Sequence, residues 1–235
     1  MNKIIIVGHP SSGHKEVEEL LQNAGMGKAT PSKRDHYTPV QISQIICKSH
    51  GVIKPFYSRT DFTQIKPGSV WDGMALDLLV ANVDQPLWGW SDPSVIHLLN
   101  YWKDLESQIG FVLVYDNPEK VLSRILREPN VDTNLQHKVY SHLNNWLNYN
   151  TELLNFYLNN SERCLLVHSE QVMTSVARYL QKMHHLIQLD EDLLQIPENN
   201  NEHLLQIKTE SIEVAAKIKK QNNSLITDTK IEVLG

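Results

Sequence analysis

The sequence predicts an α/β protein whose central sheet is mostly parallel and is covered by helices on both faces. Residues 4–7 and 111–115 are runs of β-branched and other apolar residues. Continuous apolar runs are typical of strands buried on both faces of a parallel sheet. Each run is followed at once by turn residues and then by apolar residues at helical spacing. Strands that alternate with helices in this way are typical of βαβ units and of a three-layer sandwich.

The first third of the chain begins with a strand at residues 3–7, after which apolar residues at helical spacing predict a helix that ends before Gly25. Residues 26–70 contain four prolines, and apart from a helix at 40–48 they are predicted as loop. Long loops of this kind are often lids or substrate-binding segments. A further helix is predicted at 71–83.

The middle and last parts of the chain repeat the same alternation. A short strand is predicted at 87–90, and Asp92 before Pro93 predicts a helix start in which Asp92 is the N-cap. The later elements are the strand 111–115, the helices 119–126 and 133–158, the strand 164–167 and a helix capped by Ser169. No internal repeat is visible.

The chain has 235 residues, which is enough to bury a sizeable core. We expect a single α/β domain over residues 1–197. Three asparagines at 199–201 predict a linker, and residues 202–220 predict a peripheral helix, so residues 198–235 are expected to be partly flexible.

Composition and charge exclude several classes of protein. The formal net charge of −5 argues against a nucleic-acid or anionic-membrane partner, because both favour a basic face. No apolar run approaches the ~20 residues of a membrane span, and the run at 4–7 is too short for a signal peptide. The two cysteines, Cys47 and Cys164, are too few and too far apart for a disulfide framework or a cysteine-based zinc site. We therefore expect a cytoplasmic protein without a metal site; its oligomeric state stays open.

Candidate chemistry is expected where parallel strands end, because ligands bind beyond the carboxyl ends of such strands. Residues 8–15 form a small-residue turn that opens a helix, whose free N–H groups and dipole favour an anion. The loop is one residue off the GxxxxGK motif of nucleotide triphosphatases, and Glu16 follows Lys15 in place of the hydroxyl that binds magnesium. A tight turn without a ligand is the alternative for this segment.

Five segments, taken in order, resemble the bacterial branch of the sulfotransferases that use 3′-phosphoadenosine 5′-phosphosulfate (PAPS). Residues 6–13 resemble the family's "VGxPRSGTT" loop, 88–93 resemble "WGWKDPR", and 111–124 resemble "FVLVxRDPxEVxxSL". Residues 146–150 and 163–170 resemble the family's long helix and last strand. The resemblance implies a P-loop-type sandwich and a PAPS donor, with a hydroxyl or amine of a small molecule or glycan as acceptor.

The resemblance also implies roles for individual residues. The residues implied to bind the donor are Pro10, Ser11, Ser12, Gly13, His14, Lys15, Ser123 and Arg124. His14 and Lys15 would neutralise charge on the transferred group, and Asp92 or a loop histidine would accept the proton of the acceptor. We expect His14 to be charged only below about pH 6.5, where an unperturbed imidazole is protonated.

Several cations of the family pattern are replaced in this chain. Serines stand at positions 11, 91 and 94, and Asp116 stands where the family has an arginine. Because each charge-assisted hydrogen bond contributes roughly 1.5–3 kcal/mol, we expect adenosine 3′,5′-bisphosphate to bind with a Kd above roughly 10 μM. Asp116 is expected to oppose the 3′-phosphate with like charge.

Simpler alternatives stand beside these roles. Asp92 can serve only as a helix cap, and His9 and His14 can be ordinary surface histidines. Trp88, Trp90 and Trp102 are expected in the core rather than in a ligand site. For the whole protein, the alternatives are a non-catalytic descendant that binds a partner or glycan through residues 26–70, and a small-molecule kinase, which lacks its magnesium ligand here.

Overall fold

The computed structural model describes residues 1–52, 61–126 and 135–186, without the side chains at 124–126, 135–136 and 185–186. The predicted domain boundary at 197 and the predicted peripheral helix lie outside the described residues. So does the side chain of Arg124.

Five strands form one sheet in the order β2-β3-β1-β4-β5, and each neighbouring pair is parallel. The strands are β1 (Lys3–Gly8), β2 (Gly27–Lys28), β3 (Trp88–Ser91), β4 (Ile109–Tyr115) and β5 (Cys164–His168). This arrangement confirms the predicted α/β class with a parallel sheet. Strand β2 lies within the segment that was predicted as loop, because a two-residue edge strand has too few residues to show a period.

Eight described helices cover the sheet. They are α1 (His14–Asn23), α2 (Pro39–Ser49), α3 (Asp72–Ala81), α4 (Leu99–Leu105), α5 (Pro118–Leu126), α6 (Leu135–Asn159), α7 (Ser169–Thr174) and α8 (Val176–Leu186). A 3-10 turn at Pro93–His97 precedes α4. None of these helices is both long and apolar enough to cross a bilayer.

Alternate residues of the central strands serve two separate cores. Ile5 and Val7 of β1 belong to a cluster that includes residues of α2, α3, α4 and α6. Ile4 and Ile6 belong to a second cluster with residues of α1, α7 and α8. Both faces of the strand are therefore buried, which is why its sequence is apolar without alternation. The three layers follow from this division.

The helix after β5 differs from its prediction at its first residue. The N-cap of α7 is His168, and no side chain caps the helix. The hydroxyl of Ser169 donates a hydrogen bond to the Asp116 carboxylate, 53 positions earlier in the chain. The prediction that Ser169 caps this helix is therefore wrong, because Ser169 is already its first residue and its hydroxyl is directed to Asp116.

Candidate functional site

A cleft of about 990 Å³ opens at the carboxyl ends of β1 and β3. It is bounded by the loop after β1, the start of α2, and the segment from Gly89 to Ser94. Six of the residues singled out from the sequence line it, namely Pro10, Ser11, Gly13, His14, Lys15 and Asp92. Ser12 and Ser123 are not among the lining residues, although Ser12 is buried within the same loop.

Two glycines shape the loop that forms one wall of the cleft. A Cβ on Gly8 would lie 2.7 Å from the Val114 carbonyl oxygen, so the loop passes directly against β4. Gly13 has a φ of +75°, in the left-handed region that glycine adopts without strain. This conformation turns the chain into α1, whose first N–H groups have no helical carbonyl partner. The loop therefore presents free donors at the edge of the cleft.

His9 holds this loop against α6. Its Nδ1 accepts the Ser11 backbone N–H at 3.2 Å, so the ring proton is assigned to Nε2, which lies 2.9 Å from Oδ1 of Asn145 on α6. The ring is fully buried and packs edge-on against Tyr149. The surface interpretation of His9 is therefore wrong, and the residue ties the loop to α6.

His14 lines the cleft but carries no charge near neutral pH. Its Nδ1 is hydrogen-bonded to the hydroxyl of Ser91. Burial, reinforced by the nearby Lys15 charge, lowers the pKa of His14 to about 4. The expectation that His14 becomes charged below pH 6.5 is therefore wrong, because it assumed a solvated imidazole. Among the residues of this loop, 8–15, Lys15 is the remaining cation that lines the cleft.

The two carboxylate oxygens of Asp92 have different surroundings. Its Oδ1 accepts the Ser94 backbone N–H at 2.8 Å, which confirms that Asp92 caps the turn starting at Pro93. Its Oδ2 is buried and no donor meets hydrogen-bond geometry with it, although the Ser43 and Ser94 hydroxyls lie close enough to the carboxyl to favour its ionised form. The neighbouring Ser43 has one hydroxyl proton, and that proton is donated to the Pro39 carbonyl oxygen at 3.1 Å. Burial raises the pKa of Asp92 to about 6.

The charges that line the cleft are nearly balanced. Three are cationic, namely Lys15, Lys28 and Lys120, and three are carboxyl groups, namely Glu16, Glu18 and Asp92. Burial raises the pKa of Glu18, whose Oε1 accepts the Ser91 backbone N–H at 3.2 Å. Lys28 and Lys120 are not among the residues predicted to form the site. A lysine in the first turn of a helix opposes the helix dipole, so the position of Lys120 was a signal available in the sequence.

Asp116 does not face the cleft as expected. The residue is 2% exposed and is absent from the cleft lining. Its carboxylate accepts the Asn117 backbone N–H at 2.7 Å and the Ser169 hydroxyl, and it forms an ion pair with Lys120. The expected direct repulsion of an anion is therefore replaced by a buried, paired carboxylate.

The described residues bring no three histidine, cysteine, aspartate or glutamate side chains together as a metal site would require. The three core tryptophans are confirmed, since Trp88, Trp90 and Trp102 are all buried. Trp90 also contributes to the cleft wall.

Comparison with known proteins gives matches at the level of structure. No protein-family model matches the chain, and no curated protein matches it. A sulfotransferase domain from the Synechococcus PCC 7002 olefin synthase has a TM-score of 0.54 at 15% identity, covering 81% of this chain and 74% of that one. A sulfotransferase domain from the curacin biosynthetic pathway has a TM-score of 0.49 at 13% identity, covering 85% and 78%.

A third structure, a sulfotransferase from Alicyclobacillus acidocaldarius, has a TM-score of 0.48 at 14% identity, covering 89% of this chain and 90% of that one. The similarity to the olefin synthase domain supports the fold on its own. The chain therefore has a sulfotransferase-like α/β fold, in agreement with the fold that the sequence resemblance implies.

Proposed function

We propose that this protein binds PAPS in the cleft beside residues 8–15 and transfers its sulfuryl group to a hydroxyl or amine of a small molecule or glycan. One observation carries the proposal: the same cleft is lined by an anion-binding helix start with Lys15 and by Asp92, a buried carboxylate with an unpartnered oxygen. An anion site and a proton acceptor are the two elements that sulfuryl transfer requires of a protein.

The residues of the loop fit the phosphosulfate end of such a donor. Gly13 has no Cβ, and the free N–H groups at the start of α1 favour an anion. The buried hydroxyl oxygens of Ser11 and Ser12 have no hydrogen-bond partner in the described structure. The Ser11 hydroxyl, which belongs to a residue lining the cleft, and Lys15 are the groups that would hold the donor. Ser123, implied by resemblance to bind the 3′-phosphate, is half-buried on α5 away from the cleft lining.

PAPS, when bound, supplies a sulfuryl group on a phosphate that leaves readily. The bond from the acceptor oxygen or nitrogen to sulfur forms as the sulfur–oxygen bond to the phosphate breaks. Lys15 and the loop N–H groups stabilise the charge that develops on the leaving phosphate. Asp92 Oδ2 accepts the acceptor proton, and a pKa of about 6 leaves this carboxylate ionised at neutral pH while still basic enough for the task. Neutral His14 keeps the Ser91 hydroxyl in place.

The alternative is a binding protein that has lost catalysis. The charge balance of the cleft favours this alternative, because three carboxyl groups oppose the three lysines around any bound anion. In that case Asp92 acts only as a cap. The cytoplasmic location and the kind of acceptor remain predictions in either case.

Calorimetry with adenosine 3′,5′-bisphosphate tests binding. We expect a Kd above roughly 10 μM, weakened by ten- to a hundred-fold in Lys15→Ala, since a charge-assisted hydrogen bond is lost. Lys33→Ala, which removes an exposed lysine outside the cleft lining, is the matched control and should bind as the parent does. Equal binding by parent and Lys15→Ala would show that the loop is only a turn.

A transfer assay with sulfur-labelled PAPS and a panel of hydroxyl and amine acceptors separates the two functions. Label transfer that is lost in Asp92→Asn while bisphosphate binding persists supports the enzyme. Binding without transfer to any acceptor supports the catalytically inactive alternative.

A further inference from the structure

Lys120 occupies a position that the helix dipole does not favour. It is the third residue of α5, where a cation opposes the helix dipole. Its side chain is 41% exposed and lines the cleft. Its partners are the Asp116 carboxylate, the Ser169 hydroxyl at 3.4 Å and Glu170 Oε1 at 3.6 Å. A half-exposed lysine at the wall of an anion site is placed to meet a ligand.

The contacts of Ser169 bring Lys120 close to the start of α1. The Ser169 hydroxyl oxygen lies 3.1 Å from where a Cβ on Gly13 would be, and 3.4 Å from Lys120 Nζ. The ammonium and the turn that presents free N–H groups therefore lie close to the same hydroxyl oxygen, and both Gly13 and Lys120 line the cleft. An anion held at that turn thus shares the cleft with the lysine side chain.

Asp116 keeps other partners when Lys120 leaves it. The Asn117 backbone N–H and the Ser169 hydroxyl both donate to it, and His168 Nε2 lies 3.7 Å away. Because these donors are fixed by the ends of β4 and β5, the carboxylate remains hydrogen-bonded whichever way Lys120 points. The half-exposed lysine is therefore the member of the pair that can change partners.

We propose that Lys120 is a second cation of the anion site and that Asp116 competes with the ligand for it. Asp116 is then a positioning residue that lowers affinity by holding Lys120, rather than by facing the ligand directly. A ligand must supply enough negative charge to draw the lysine away, so the pair favours phosphate and phosphosulfate esters over weakly charged ligands. This inference rests on the proposed function, since it needs an anion in the cleft.

The test is a double-mutant cycle on binding of adenosine 3′,5′-bisphosphate, measured by calorimetry. Lys120→Met should weaken binding about ten-fold, because a charge-assisted contact is lost. Asp116→Asn keeps the size of the side chain and should tighten binding about five-fold, because freeing a half-exposed lysine from one ion pair is a modest gain. In the double variant, affinity should match that of Lys120→Met. A role confined to stability would not move the two single variants in opposite directions.

Asp104→Asn, at an exposed carboxylate paired with Lys103, controls for the change in net charge and should bind as the parent does. If Asp116→Asn tightens binding equally with and without Lys120, Asp116 acts by general repulsion and the inference is overturned. Unchanged affinity in Lys120→Met overturns it too, even where Asp116→Asn fails to fold. If the parent and all variants fail to bind the bisphosphate, both this inference and the proposed function fail. If the parent binds but the variants do not change its affinity, this inference alone fails.

Discussion

Replacing Asp92 by Asn should make the protein more stable at neutral pH. Burial raises the pKa of this carboxyl from 3.8 to about 6. At pH 7 the folded protein therefore holds an ionised carboxylate in a site that favours the neutral acid. At roughly 1.4 kcal/mol for each factor of ten in proton affinity, this difference corresponds to about 3 kcal/mol of lost stability. Asn has no charge, and its side-chain oxygen can still accept the Ser94 N–H that caps the turn.

The sign of the pH dependence follows from proton binding. Between pH 3.8 and about 6 the folded protein binds more protons at Asp92 than the unfolded chain does, so this residue's contribution to stability falls as pH rises. The stability difference between Asp92→Asn and the parent should therefore be small near pH 4 and reach about 3 kcal/mol in favour of the variant above pH 7. Comparing the two proteins at each pH removes the contribution of His14, which both share.

Urea unfolding at pH 4.5 and pH 7.5 measures this difference. Asp92→Ala is the control, because it removes the charge together with the cap and should gain about 1 kcal/mol less than Asn does. A variant Asp92→Asn that is less stable than the parent at pH 7.5 would refute the conclusion that the ionised carboxylate is costly in this site. Such a cost is typical of groups kept for function rather than stability.

Two further predictions concern the loop. Gly13→Ala should lower the free energy of unfolding by about 2–3 kcal/mol, because its Cβ would lie 3.0 Å from the Ser169 Cβ. Gly51 has a similar φ of +77°, but a Cβ added there would have no neighbouring atom within 4 Å. Gly51→Ala should therefore lower the free energy of unfolding by only about 1–2 kcal/mol in the same urea assay. Equal losses in the two variants would contradict the contact with Ser169. The pKa of His14 should be about 4 by NMR titration of its ring, and its lowered value should make stability decline from pH 6.5 towards pH 4; titration near 6.5 would contradict its burial.

The elements that could be predicted are those whose sequence pattern lies within a few neighbouring residues. The central residues of strands β1 and β4 are apolar because both faces of each strand are buried, and the loop at 8–15 combines glycines with a helix start that is visible in the sequence. The Asp92 cap was predictable for the same reason, since aspartate before proline is a local signal. Strand β2 escaped prediction because two residues carry no periodicity.

The parts of the site that were missed depend on residues distant in sequence. His9 is buried by Asn145, 136 positions later, and His14 is buried beside Ser91, 77 positions later. Neither partner is visible from the loop, so both histidines resembled surface residues. Asp116 likewise resembled an exposed negative charge until Ser169 and Lys120 were placed against it. Charge in a cleft is a property of the assembled strand ends, and single segments do not reveal it.

A crystal structure of the full chain grown with adenosine 3′,5′-bisphosphate would show whether the cleft binds the donor nucleotide. We expect the nucleotide in the cleft, with its 5′-phosphate against the backbone N–H groups of residues 13–15 and within hydrogen-bond distance of Lys15 Nζ. A cleft that stays empty at a saturating nucleotide concentration, or a nucleotide bound away from residues 8–15, would contradict this expectation.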